Sequence, residues 1–174
     1  NYTAQYTNGY FTVVPSSALP AARLNAQTDV RAYAAQFGIV WTDLDADNSE
    51  ETGEKAAALR SAYNAIGEAM TQGDVAEAKL AAFDAVDAYV AAFDAYKNTQ
   101  LEALAGELDT EGEDGYVVLP TAAWAALREA GSRELFDFYL DKAKQEVDDI
   151  RAFRGDIKEQ IGDLTDLQSA LTDL

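Results

Sequence analysis

The sequence predicts a mainly α-helical fold: a helical bundle with a small N-terminal β-hairpin and a long C-terminal helix of coiled-coil character. Apolar residues recur three and four positions apart through most of the chain, which is the spacing of one helix face. The first fifteen residues instead alternate in polarity around Asn8-Gly9. From Ser132 onward the chain contains no Pro, so a single helix is expected there. We therefore divide the chain into a hairpin arm (1–15), a helical domain (16–131) and a long C-terminal helix (132–174).

The N-terminal hairpin is predicted from its turn. Asn8-Gly9 is a favoured dipeptide in two-residue type I′ loops, and apolar alternation flanks it on both sides. Such a loop places Tyr6 opposite Phe11 and Ala4 opposite Val13. Because an isolated hairpin is marginal in water, we expect it to gain either a third strand at 116–119 or contact with another molecule.

Four helices are predicted between the hairpin and the C-terminal helix. They cover about 18–38, 51–72, 75–107 and 121–130, and glycines follow several of them. The second is expected to bury Leu59, Ile66 and Met70. The third has the clearest apolar stripe, formed by Phe83, Val86, Val90 and Phe93.

The C-terminal helix carries a heptad pattern. Apolar residues three and four apart run along it at Leu140, Ala143, Val147, Ile150, Ile157, Ile161, Leu164 and Leu171. At about 1.5 Å per residue the helix would be about 60 Å long, which exceeds the width of a domain of this size. Part of it must therefore project or meet a partner. We predict a homo-oligomer, or contacts with other structural subunits, through Tyr2–Val14 and Leu140–Leu174.

The composition excludes several kinds of chemistry. The 174 residues include neither His nor Cys, which removes imidazole bases, thiol nucleophiles, disulfides and zinc–thiolate sites. The 31 Asp and Glu residues outnumber the 13 Lys and Arg residues, for a net charge of −18. A polyanion of this kind is expected to avoid nucleic acid and anionic membranes. No apolar run is long enough to suggest a membrane span.

The acidity also suggests an environment. Dense surface carboxylates keep a protein solvated in concentrated salt, which in turn screens their repulsion. We interpret the net charge of −18 as a sign of a halophilic source; an ordinary acidic protein is the alternative. The expected location is a virion or extracellular assembly, or otherwise the cytoplasm of a halophile.

One acidic segment has the spacing of a metal site. Residues 43–54 resemble the twelve-residue calcium loop of EF-hands, with carboxylates at the first, third, fifth, ninth and twelfth positions. The segment departs from that pattern at Asn48, where a Gly is usual, and at Glu50, where an aliphatic residue is usual. The resemblance implies Ca²⁺ ligands at Asp43, Asp45, Asp47, Ser49 (through its backbone carbonyl), Glu51 and Glu54. The alternative is a solvated acidic loop that leads into the next helix.

These observations predict a non-catalytic structural or assembly protein of a multi-subunit particle, most concretely a capsid, neck or tail component of a virion from a high-salt environment. The first alternative is a surface or secreted binding module stabilised by calcium. The second is a carboxylate-based enzyme, although no pair of acids stands out from the other acids. No catalytic residue is predicted, and no cofactor other than that calcium ion.

Overall fold

Helices make up most of the chain, which confirms the predicted mainly helical class. The computed structural model describes residues 2–7, 10–15, 18–109 and 117–172. Its helices are α1 Ala18–Gln36, α2 Trp41–Ala46, α3 Gly53–Glu68, α4 Gln72–Asp109, α5 Thr121–Glu129 and α6 Arg133–Thr172. In these ranges no helix combines the length and the apolar character that crossing a bilayer requires.

Two strands precede the helices. β1 (Tyr2–Thr7) and β2 (Tyr10–Pro15) are antiparallel, with Tyr6 opposite Phe11. The Asn8-Gly9 turn lies outside the described residues, and the role of this segment as an arm stays a prediction. The third strand expected at 116–119 is wrong in its described part, because Val117–Leu119 form no regular secondary structure and the sheet of the described chain has two strands. Val117 and Leu119 are buried and Val118 is exposed, so the alternation reflects burial of an extended segment without strand pairing.

The chain forms two compact units. The first contains Asn1–Tyr96 and Gly131–Arg133, and the second contains Lys97–Ala130 and Glu134–Leu174. Helices α4 and α6 each begin in the first unit and continue into the second. The division into an arm, a helical domain and a terminal helix stays a prediction.

The core of the first unit combines large aliphatic side chains with alanines. Val30, Leu44, Leu59, Ile66 and Val86 are fully buried, and each contributes about 1.5–3 kcal/mol relative to an exposed position. The same core contains buried alanines, which leave little side-chain bulk between neighbouring helices. They are Ala26, Ala34, Ala56 and Ala82.

Two helix assignments in the first unit differ from the sequence-based expectation. α3 ends at Glu68, so Met70 lies beyond it and is exposed, although we expected it on the core face. α2 lies at Trp41–Ala46, where a loop was expected. Six residues span less than two turns, which is too short for apolar periodicity to reveal a helix.

The second unit is built on the last part of α4, on α5 and on the first half of α6. Its buried side chains include Leu104, Leu119, Leu127, Phe136, Leu140 and Val147. Lys97 donates hydrogen bonds to the backbone carbonyls of Arg128 and Ala130 (2.9 and 3.0 Å). An ammonium group at this end of α5 satisfies carbonyls that have no partner within the helix and favours the negative end of the helix dipole.

Candidate functional site

The acidic segment 43–54 is divided among three structural elements. Asp43 and Asp45 lie within α2, Asp47 is the residue that follows this helix, and Glu54 is in the first turn of α3. A calcium loop turns alternate oxygens inward, whereas a helix rotates successive side chains by about 100°. The first two expected ligands therefore do not have the conformation that the resemblance implied.

Asp47 is the centre of a hydrogen-bonded cluster. Its carboxylate is buried and accepts hydrogen bonds from the Ser49 backbone N–H (3.1 Å), the Ser49 hydroxyl (2.7 Å) and the Thr52 hydroxyl (2.6 Å). The Tyr89 hydroxyl lies 3.5 Å from the same group. We call Asp47, Ser49, Thr52, Tyr89 and Arg133 the Asp47 cluster.

Arg133 brings the positive charge to this cluster. Its Nη1 donates to the hydroxyls of Ser49 (2.8 Å) and Thr52 (3.1 Å) and lies 3.3 Å from a carboxylate oxygen of Glu51. Its guanidinium carbon lies 3.6 Å from the centroid of the Tyr96 ring, which is the geometry of a cation–π contact. The cluster thus connects the α2–α3 loop to the first residue of α6.

The pKa directions agree with this arrangement. Burial alone would raise the pKa of the Asp47 carboxyl, but the hydrogen bonds from Thr52 and Ser49, together with Arg133, outweigh burial and hold that pKa below its ordinary value. Burial raises the pKa of the Tyr89 hydroxyl to about 12, helped by the Asp47 charge and opposed by Arg133. Asp47 is therefore ionised and Tyr89 protonated near neutral pH.

The predicted ligand set is not brought together as a metal centre. Within the described ranges no group of three ligating side chains is placed to hold a metal ion. Asp47 and Ser49 meet, and Arg133 links them to Glu51, but Glu54 is almost fully exposed. Whether the segment binds a cation in solution stays a prediction.

Sequence reasoning missed three members of the cluster. Thr52 had a local signal, because Asp47-x-Ser49-x-x-Thr52 matches the side-chain-to-backbone turns that precede helices. Tyr89 adjoins the predicted apolar stripe of the third helix, and Arg133 lies at the start of the predicted C-terminal helix. Neither lies near residue 47 in sequence, so no local pattern connects them to it.

The second candidate site is the exposed apolar side of α6 beyond residue 152. Six side chains there are between 40% and 74% exposed. In the first half of the same helix, Leu140 and Val147 are buried. We call the exposed set the α6 face: Phe153, Ile157, Ile161, Leu164, Leu167 and Leu171. At about 100° per residue, the six lie within an arc of about 120°.

The end of α4 lies close to the part of α6 where burial changes. The Arg151 guanidinium pairs with the Glu107 carboxylate (2.9 Å) and with the Glu107 backbone carbonyl (3.1 Å). Glu107 lies two residues before the end of α4 at Asp109. α6 continues to Thr172, so α4 does not extend alongside the α6 face.

A groove lies beside α5 and α6 in the second unit. Its volume is about 440 Å³, and Ala122, Ala125, Ala126, Glu129, Ala130, Leu135 and Tyr139 line it. The carboxylate of Glu129 lies among alanine, leucine and tyrosine side chains in this lining.

Comparisons with known protein families, with curated proteins and with solved structures find no match to this chain.

Proposed function

We propose that this protein is a non-catalytic structural subunit of a multi-subunit assembly, held to its neighbours through the α6 face. The observation that supports the proposal is the run of six large apolar side chains exposed on one side of a single helix. Burying a side chain of this kind contributes about 1.5–3 kcal/mol. A continuous exposed apolar surface of this kind is typical of interaction sites.

The helical state of 153–172 also argues for a partner. Helices in water gain most of their stability from packing of an apolar face. This stretch also contains Gly155 and Gly162, each of which costs about 1 kcal/mol relative to Ala within a helix. Contact along the α6 face would supply the missing packing energy.

We further propose a high-salt environment, and a virion capsid, neck or tail component as the most concrete form of the assembly. The net charge of −18 supports the high-salt environment, because subunits with that charge repel one another unless salt screens them. The apolar face supports assembly, and the virion itself is the interpretation that the sequence suggested.

Sedimentation equilibrium of the full chain at molar salt tests the proposal. We expect a mass above that of the 18.8 kDa monomer and a shift to the monomer in Leu164→Asp, which puts a charge on the α6 face. The matched control is Ser169→Asp, about 140° around the helix from Leu164, which should retain the assembly. A wild-type chain that is monomeric at every salt concentration would contradict the proposal.

A further inference from the structure

The α6 face is bordered by two edges of opposite charge. Aspartates seven residues apart follow one border, which we call the acidic edge: Asp149, Asp156 and Asp163. Two cations follow the other border, which we call the basic edge: Arg154 and Lys158. At about 100° per residue the edges lie on opposite sides of the apolar arc. Within residues 150–171, two polar residues lie between the two edges, and both are uncharged: Gln160 and Gln168.

This segment also differs from the rest of the chain in net charge. Residues 150–172 contain three Lys or Arg and four Asp or Glu, a net charge of −1. The other residues hold ten Lys or Arg and twenty-seven Asp or Glu, a net charge of −17. Two copies of the chain therefore meet with the least electrostatic repulsion along this segment.

We propose that the occupant of the α6 face is a second copy of this chain, with the two helices parallel and in register. This inference rests on the proposed assembly function. In a parallel two-fold pair, the acidic edge of each copy lies beside the basic edge of the other. In an antiparallel pair, the two acidic edges would meet and so would the two basic edges. Like charges in contact are destabilising, so the charge pattern selects the parallel orientation.

The spacing along the face supports the same arrangement. Phe153, Ile157, Gln160, Leu164, Leu167 and Leu171 are alternately four and three residues apart, which is an uninterrupted heptad pattern. It is offset from the Leu140, Ala143 and Val147 series that is buried within the second unit. Ile161 borders this seam.

Three polar positions of the heptad pattern have a role in the parallel pair. Asp149 precedes Arg154 by five residues, which is the separation that places the two side chains side by side across a parallel coiled coil. Gln160 occupies a core position, where a single polar residue specifies register. The outer side of the pair would carry Gly155 and Gly162, and a Cβ atom at either glycine would meet no heavy atom within 4 Å.

Single-cysteine variants test the orientation. The chain has no Cys, so Ile157→Cys and Leu171→Cys each introduce one thiol into the full chain. In the parallel pair each position faces its own copy, and we expect each variant alone to form a disulfide-linked dimer with oxidised glutathione. The two positions are about 21 Å apart along the helix, so an antiparallel pair can bring at most one of them opposite itself. Asp166→Cys, on the far side of α6, is the control and should stay unlinked.

The outcomes separate this inference from the proposed function. Linked dimers of both variants, an unlinked control and a two-chain mass by sedimentation would support the parallel pair. Linkage that appears mainly when the two variants are mixed would overturn the parallel orientation and leave the assembly function standing. A two-chain mass without linkage at either position would overturn the α6 face as the surface through which the two copies pair. A monomer in sedimentation would overturn both. Circular dichroism of each variant establishes that the exposed substitutions leave the fold intact.

Discussion

The backbones of Gly38 and Gly131 are in direct contact: a Cβ atom built on Gly38 would lie 3.0 Å from the Cα of Gly131. Gly38 follows α1 with φ at +73°, a conformation that side-chain-bearing residues rarely adopt. Gly131 lies between α5 and α6, so the contact joins the end of the first helix to the residues before the last. Both glycines lie where the sequence predicts helix ends, but their contact joins residues that are distant in the chain.

We expect Gly38→Ala to destabilise the protein. The left-handed conformation alone costs about 1–2 kcal/mol with a Cβ present, and the contact with the Gly131 backbone adds to that cost. Urea unfolding followed by circular dichroism measures the effect as a lower transition midpoint. Gly155→Ala is the matched control, because it lies in open space within α6 and should stabilise the helix by about 1 kcal/mol. Equal midpoints for Gly38→Ala and the wild type would mean that this contact is not formed.

Asp47→Asn should destabilise the first unit by about 2–4 kcal/mol, because hydrogen bonds to a buried charged group are worth about 1.5–3 kcal/mol each. The substitution leaves Arg133 without the negative charge at the centre of the cluster. Asp45→Asn, on an exposed position of α2, is the control and should change the free energy of unfolding by less than about 0.5 kcal/mol. Similar losses in both variants would contradict a structural role for the cluster.

The stabilising effect of the Asp47 carboxylate should depend on pH in the acid range. The pKa of Asp47 is lower in the folded chain than in the unfolded chain. In the unfolded chain this pKa has the ordinary Asp value of about 3.9. The carboxylate therefore stabilises the fold above about pH 4, and this contribution is lost as pH falls through the lower folded pKa. We expect the difference in unfolding free energy between wild type and Asp47→Asn to shrink below about pH 4. A difference that stays constant down to pH 2 would contradict the assigned direction of the shift.

An alkaline dependence is expected from Tyr89. Its pKa is raised to about 12 in the folded chain, against about 10 in the unfolded chain. A raised pKa means that the protonated hydroxyl stabilises the fold fully below about pH 10, and that this contribution is lost as pH rises toward 12. Tyr89→Phe should remove that part of the alkaline destabilisation. Tyrosinate absorbance should be followed across an alkaline titration of wild type and variant. The component that titrates at the highest pH should be present in the wild type and absent from Tyr89→Phe.

The two halves of α6 show how far the sequence could predict this fold. The heptad pattern predicted from the sequence contains both Leu140 and Leu164, and periodicity does not distinguish them, yet the first is buried and the second is exposed. Burial changes close to Arg151, which pairs with Glu107 near the end of α4. Periodicity identifies an apolar face, but it does not identify the neighbour that covers it.

The Asp47 cluster shows the corresponding limit for the candidate site. The spacing of acids in 43–54 drew attention to the right segment. The same carboxylates occur in a calcium loop and in a hydrogen-bonded helix junction, and Arg133, which donates to this junction, is distant in sequence. Charge compensation across such a distance is a tertiary property, which the spacing of acids along the sequence does not reveal.

The final prediction concerns salt. Even with one acid paired to every Lys and Arg, the net charge leaves 18 carboxylates without a cation, and their repulsion in dilute buffer opposes the folded state. We expect dialysis into dilute buffer to reduce helical circular dichroism and to lower Tm, by about 2–4 °C for each kcal/mol of lost stability. Sucrose is the control, because it stabilises proteins by exclusion from their surface without screening charge, and it should restore Tm less effectively than an alkali chloride of equal osmolality. Unchanged helicity and Tm in dilute buffer would contradict the high-salt environment and favour an ordinary acidic protein, while leaving the parallel pairing of α6 to be decided by the cysteine variants.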